Sequence, residues 1–98
     1  MKPTNSSCGR GIRVIGKKTT VKKRSGYLVS QYLSKPHLLK GHKYDMRIYV
    51  LVSCYDPLKI YLFEEGLVRF ATQPYSTDKS TLSKRFVHLT NFSVNKKA

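Results

Sequence analysis

Residues 43–54 constrain this chain more than any other stretch. They read Lys43-Tyr44-Asp45-Met46-Arg47-Ile48-Tyr49-Val50-Leu51-Val52-Ser53-Cys54. A β-strand sends alternate side chains to opposite faces. The even positions (Tyr44, Met46, Ile48, Val50, Val52, Cys54) are largely apolar, which predicts one continuous core face. The odd positions begin Lys43, Asp45, Arg47, so the other face opens with a cation, an anion and a cation. Asp45 and Arg47 are costly to bury unless paired or bound. Two readings follow: a structural ion pair at a strand end, or a grip on a charged, sugar-bearing ligand.

The flanking sequence supports a sheet. Asp56-Pro57 is a turn signal, residues 59–63 form an apolar run, Glu64-Glu65-Gly66 reads as a second turn, and residues 67–71 read as a third strand. Short connections favour antiparallel neighbours, so residues 43–71 are expected to form a three-stranded meander. Arg69 falls mid-strand between Val68 and Phe70 and needs an anion, either a strand-face partner or a ligand. Upstream, residues 12–15 alternate like a strand and residues 26–33 form a short apolar strand ended by Ser34-Lys35-Pro36. Residues 38–42 read as a connecting loop. Residues 72–85 are polar, a loop with one helical turn. Residues 86–95 are again apolar-polar, with Thr90 and Asn91 as turn or cap residues and His88 as a structural histidine. The fold class is α+β with a mainly antiparallel sheet.

Ninety-eight residues make one small domain or part of a larger one. Both ends read as cut: a glycine-containing loop stands almost at the N-terminus, and the chain stops just after an apolar-polar segment. Nineteen Lys and Arg against five Asp and Glu give a formal charge of +14, which attracts polyanions without naming one. Residues 17–24 concentrate five of those cations with no interleaved aromatic, so base stacking is not indicated. The two cysteines, Cys8 and Cys54, have no zinc-ligand spacing and read as free thiols. No signal-peptide or membrane-length apolar run appears, so a soluble intracellular setting is expected.

The chemistry-bearing residues point away from hydrolysis by a protein nucleophile. No Ser-His-Asp or Cys-His set assembles, and no carboxylate pair suits glycosidase chemistry. Residues 2–11, with Gly9 and Gly11, form a loop whose backbone N–H groups can approach phosphate, although it matches neither GxxxxGK[ST] nor GxGxxG. Cations at strand ends, this loop and one strand-borne aspartate suit holding a nucleotide and an anionic reactant. Phosphoryl chemistry needs positioning and charge neutralisation above all.

Five segments in order carry a family resemblance: Lys2-Pro3 leading to Gly9-Arg10-Gly11-Ile12; Ser30-Gln31-Tyr32-Leu33 with Lys35-Pro36; Lys43-Tyr44-Asp45-Met46-Arg47; Tyr55-Asp56-Pro57-Leu58 through Glu65-Gly66-Leu67-Val68-Arg69-Phe70-Ala71; and His88-Leu89-Thr90-Asn91-Phe92-Ser93-Val94-Asn95-Lys96-Lys97. The chain resembles the middle of a tubulin–tyrosine-ligase-like domain, most nearly the tubulin polyglutamylases, over nearly its whole length. The resemblance implies an ATP-grasp-like fold, with residues 1–98 as the central part of a catalytic domain. It implies ATP and Mg2+ as cofactors, and tubulin or microtubules, met through acidic tails, and free L-glutamate as partners. No nucleic acid or membrane is expected. The location implied is cytoplasm and cytoskeleton, including the cilium or flagellum axoneme and basal body.

Residue roles follow from the same resemblance. Lys2 is expected to meet ATP phosphate, and Cys8 and Gly9 to belong to the loop over the phosphates. Ser30, Gln31, Tyr32 and Leu33 are the expected adenine hinge. Lys43 and Asp45 reach the nucleotide, with Asp45 suited to ribose hydroxyls. Arg47 partners phosphate or acyl phosphate. Arg69 binds the incoming glutamate carboxylate, Thr90 and Asn91 line the ATP site, and Ser93 touches glutamate. Two positions depart from the family pattern: Cys8 stands where Gln or Arg is common, and Phe92 where Tyr is usual. The magnesium-holding residues are expected beyond Ala98, so the segment alone is expected to be inactive. The alternative is a basic, non-catalytic binding module for microtubules or nucleic acid.

Overall fold

The computed structural model describes residues 1–98. Two long strands dominate it, β4 (His42–Tyr55) and β5 (Leu58–Phe70). They form an antiparallel hairpin closed at Asp56-Pro57, where the turn signal lies. A short strand β3 (Leu38–Leu39) adds to the edge of β4, giving the order β3-β4-β5. Residues 38–42 are therefore not a plain loop: Lys40 and Gly41, both at positive φ, turn the chain so that Leu39 faces His42. A separate two-stranded ladder pairs β1 (Lys2–Pro3) with β2 (Tyr27–Leu28). The architecture is α+β with antiparallel sheets.

The expected meander is corrected to a hairpin. Glu64-Glu65-Gly66 does not reverse the chain; it lies inside β5. Ile48 pairs with Gly66 and Val50 with Leu62, so residues 63–65 bulge opposite Tyr49. A bulge absorbs extra residues while the strand keeps its direction. Gly66 is what allows the close approach there, since a Cβ would stand 2.5 Å from the Arg47 carbonyl oxygen. The expected strand at residues 12–15 is also absent, although Arg13 and Met1 exchange backbone hydrogen bonds of 2.9 Å in both directions. The expected strand at 26–33 shrinks to Tyr27–Leu28. Local alternation specifies a strand only where a neighbour supplies the ladder.

The even face of β4 is not a core within this chain. Met46, Ile48 and Val50 are 65%, 59% and 56% exposed. The reason is topological: no other element packs over the outer hairpin, so its apolar faces meet solvent. The accessible surface is 8396 Å², against about 5,700 Å² for a folded monomer of this mass. Burial concentrates elsewhere, at Gly9, Ala71, Val87, His88 and Val94. That cluster lies where the glycine loop and the exit of β5 meet two one-turn helices, α1 (Arg85–His88) and α2 (Phe92–Asn95). A 3-10 turn at Lys79–Thr81 precedes them, as the expected helical turn. Asn95 ties the cluster together: its amide donates to Leu89 O and Asn91 O, and its Oδ1 accepts from the Thr72 backbone and hydroxyl.

Candidate functional site

Strand pairing places the charged row. Lys43, Asp45 and Arg47 alternate along β4, and Arg69 stands opposite Asp45 on β5. Side chains directly across an antiparallel pair share a face, so all four project to one side of the sheet. Arg69 Nε lies 3.1 Å from both Asp45 oxygens, and Arg69 Nη2 bonds Asp45 Oδ2. The structural partner of Asp45 is thus Arg69, across the sheet, while Arg47 stays exposed. Burial of Asp45 opposes its charge, but the Arg69 and Thr90 side chains and then Arg47 outweigh it, holding the carboxyl below its usual range.

The pair is side-on. It uses Nε and one edge of Nη2, leaving the end-on Nη1/Nη2 fork of a guanidinium that is 28% exposed. Such a fork matches a second carboxylate in bidentate geometry. The ion pair and the ligand contact are therefore compatible: Asp45 aims the arginine and the open edge faces outward.

Lys43 sits deeper. Its Nζ lies 3.4 Å from the Tyr32 hydroxyl and 4.8 Å from the centre of that ring. Burial lowers its pKa against the pull of Asp45. Tyr32 in turn meets His88 Nδ1 at 3.0 Å, and His88 Nε2 meets the Thr81 carbonyl at 3.0 Å. Burial, with Tyr75 adding, raises the Tyr32 phenol above its ordinary value. Of the four expected hinge residues, the structure brings Tyr32 against the charged row, whereas Ser30, Gln31 and Leu33 lie exposed in a loop outside any strand.

The glycine loop joins from the other side. Cys8 and Gly9 both adopt positive φ, and Ser93 Oγ donates to Cys8 O at 2.9 Å. Arg85 Nη2 donates to Gly9 O at 2.7 Å. A Cβ on Gly9 would stand 2.8 Å from Asn91 Oδ1, so the close packing of this loop on α2 requires glycine. Asn91 is the N-cap residue of α2, but its side chain does not cap; it lies against Gly9 instead. Lys2 is exposed on β1.

One segment thus reaches several parts of the site: His88 meets Tyr32, Asn91 meets Gly9 and Ser93 meets Cys8, while the Thr90 side chain helps to lower the Asp45 pKa. Two hollows flank it. One, of about 640 Å³, is lined by Arg10, Lys84, Arg85, Lys96 and Lys97 beside Cys8 and Ser93, with no carboxylate. The other, of about 390 Å³, lies between residues 11–15 and residues 82–89. Lys43, Asp45, Arg47 and Arg69 line neither; they stand on the open sheet face. No three of His, Cys, Asp or Glu gather as metal ligands, and Asp45 is engaged by Arg69. The donor set here does not fit magnesium, and no role is assigned through it.

The sequence reading did not single out Arg85 or Asn95, and gave His88 only a structural role. Arg85 clamps the loop from one turn of helix, and nothing in its spacing marks it. Asn95 has a signal only in hindsight, as an asparagine at a helix end where its amide can reach two carbonyls.

Comparison with known proteins gives the family. The model of the tubulin-tyrosine ligase family matches residues 1–98. A Mus musculus protein named tubulin monoglutamylase TTLL4 is 56% identical over 97 residues, which is 99% of this chain and 8% of that protein. Tubulin polyglutamylase TTLL5 of Mus musculus is 48% identical over 98 residues, 100% of this chain and 7% of its own length. Tubulin polyglutamylase TTLL7 of the same species is 44% identical, covering 98% of this chain and 11% of its own. This chain therefore spans about a tenth or less of the curated relatives it matches. The chain belongs to the tubulin-tyrosine ligase family.

Proposed function

We propose that this chain is the central, nucleotide- and amino-acid-gripping part of an ATP-grasp-like ligase that adds glutamate to glutamate side chains in the acidic tails of tubulin. The observation that carries the reading is the Asp45–Arg69 pair with Lys43 and Arg47 on the same sheet face. The names of its relatives include both a monoglutamylase and polyglutamylases, which supports glutamylation without choosing between starting and extending a chain.

ATP would supply the phosphoryl group that activates the acceptor carboxylate as an acyl phosphate, whose phosphate then leaves as the glutamate amine forms an isopeptide bond. The residues of this chain supply charge and orientation. Arg69 offers its open fork to the carboxylate of free glutamate, and Asp45 keeps that fork aimed. Lys43 holds a half-buried cation beside the Tyr32 ring, suited to a nucleotide. Arg47 reaches out toward phosphate oxygens from the next position on the same face. The Cys8–Gly9 turn, fixed by Arg85 and Ser93, presents backbone close to Asn91. Lys2 and the exposed Ser30, Gln31 and Leu33 are assigned to the nucleotide by family resemblance. Preorganised charge of this kind lowers the cost of the anionic transition state.

The test uses the full-length protein that carries this segment, with tubulin, ATP and labelled glutamate. Arg69→Ala should lower incorporation of glutamate by about 10- to 100-fold while nucleotide binding stays within about threefold. Equal loss of both would remove the assignment of Arg69 to glutamate. Tubulin affinity that persists without any ATP-dependent incorporation, and vanishes when the cations of residues 17–24 are neutralised, would favour a basic binding module.

A further inference from the structure

We infer that His88 is a positioning residue for Lys43, acting through the hydroxyl of Tyr32. The inference rests on the reading of Lys43 as a nucleotide contact. It is carried by an unbroken row of hydrogen bonds from a helix end to the sheet. The Thr81 carbonyl can only accept, so His88 Nε2, 3.0 Å away, must carry the ring proton. His88 Nδ1 is then a bare acceptor, and the Tyr32 hydroxyl 3.0 Å from it must donate. That leaves the lone pairs of the Tyr32 oxygen toward Lys43 Nζ at 3.4 Å. One peptide carbonyl thereby fixes the direction of every proton up to the ammonium group.

The imidazole at the centre of the row is shut off from water. His88 is 3% exposed, and no buried side-chain polar atom lacks a partner. The imidazole lies edge-on to the Tyr32 and Tyr75 rings, with centres 5.8 and 5.7 Å away. Tyr75 is anchored by its hydroxyl to the Ser34 carbonyl at 2.9 Å, so the same clamp tethers the loop that carries Tyr32. The groups facing the imidazole are Lys43 from β4, the Tyr32 and Tyr75 phenols from two loops, and the Thr81 carbonyl from the 3-10 turn. A second proton on His88 would turn Nδ1 into a donor, reverse the Tyr32 hydroxyl and set a second cation near Lys43. Burial, opposed by the Thr81 hydrogen bond and aided by Lys43, favours the neutral ring.

The experiment measures ATP KM, glutamate KM, kcat and Tm of the full-length protein from about pH 5.5 to 8, for wild type, His88→Leu, His88→Asn, Tyr32→Phe, Lys43→Ala and the His88→Leu/Tyr32→Phe double variant. Asn can place an oxygen where Nδ1 stood. His88→Leu and Tyr32→Phe should each raise ATP KM about tenfold, a loss on the scale of one charge-assisted hydrogen bond, with kcat and glutamate KM within about twofold. The double variant should be no worse than either single one. His88→Asn should recover ATP KM to within about threefold and remove the rise in wild-type ATP KM at acid pH, which the lowered pKa of the buried ring sets below the ordinary histidine value. Parallel losses in kcat, both KM values and Tm, with His88→Asn no better than His88→Leu, would reduce His88 to a packing residue and overturn the proposal. Should both His88 variants fail to fold, Tyr32→Phe and the wild-type pH profile decide it: an unchanged ATP KM in both overturns it. Lys43→Ala separates the two levels. If it leaves ATP KM unchanged, the nucleotide reading of Lys43 fails; if it raises ATP KM while Tyr32→Phe and His88→Leu do not, only the relay fails.

Discussion

Arg69 grips Asp45 side-on across two antiparallel strands, with Nε 3.1 Å from each carboxylate oxygen, and keeps its end-on fork clear of any protein acceptor. A register shift of one residue would send the two side chains to opposite faces. The bulge at residues 63–65 is therefore part of the site, because it sets which β5 residue meets Asp45.

Arg69→Lys should be almost as damaging as Arg69→Ala for glutamate transfer. A lysine keeps the charge but cannot face Asp45 and a substrate carboxylate with two planar edges. A loss of about 10- to 100-fold in kcat/KM for glutamate is expected for either, the scale of a charge-assisted contact. Asp45→Asn should cost less, about tenfold, since it loosens the aim of the fork and leaves the fork itself. Steady-state kinetics with varied glutamate at saturating ATP separates these outcomes.

The stability contributed by the Asp45–Arg69 pair should be small and lost only in acid. Both side chains are about a third exposed (28% and 34%), so screening limits the pair to about 0.5–1 kcal/mol. The folded-state pKa of Asp45 is depressed, so its contribution is complete above the unfolded value near 3.8 and falls away as pH drops further. His88 works in a higher window. Its folded pKa is also depressed, so the unfolded chain binds its proton first. Stability then declines as pH falls below the ordinary histidine value of 6.5. Denaturant melts between about pH 4 and 8 should show a slope that His88→Asn removes and Asp45→Asn leaves in place.

Gly66→Ala should destabilise the hairpin by about 1–3 kcal/mol, the range for a substitution forcing backbone apart. The new methyl would meet a carbonyl oxygen at 2.5 Å, and that atom belongs to the ladder itself. Glycine at position 26, where a Cβ meets nothing within 4 Å, provides the contrast despite its positive φ. Gly26→Asn, which tolerates that φ, should cost under about 1 kcal/mol. Chemical denaturation of the two variants compares them directly.

Neutralising Lys17, Lys18, Lys22, Lys23 and Arg24 should weaken attraction to acidic partners at low salt and do little at high salt. All five are exposed, and charges in solvent are screened within about 10 Å at 0.1 M salt. Sedimentation with microtubules at two ionic strengths measures it. ATP affinity should not change, because none of these side chains reaches the charged row.

The alternation of residues 43–54 was enough to place Lys43, Asp45 and Arg47 on one face, because side-chain direction in a strand follows from period two alone. The Asp56-Pro57 turn was equally plain, since proline limits the local backbone whatever surrounds it. The partner of Asp45 was not legible. It depends on register, and register depends on a bulge that looks in sequence like a reversal at Glu64-Glu65-Gly66. Nor could the sequence show that the apolar face of β4 stays uncovered, as cover comes from other elements and not from the strand's own pattern. The relay from Thr81 through His88 and Tyr32 to Lys43 belongs wholly to tertiary structure. Its members are drawn from four separate segments, and only packing makes neighbours of residues 7 to 56 positions apart.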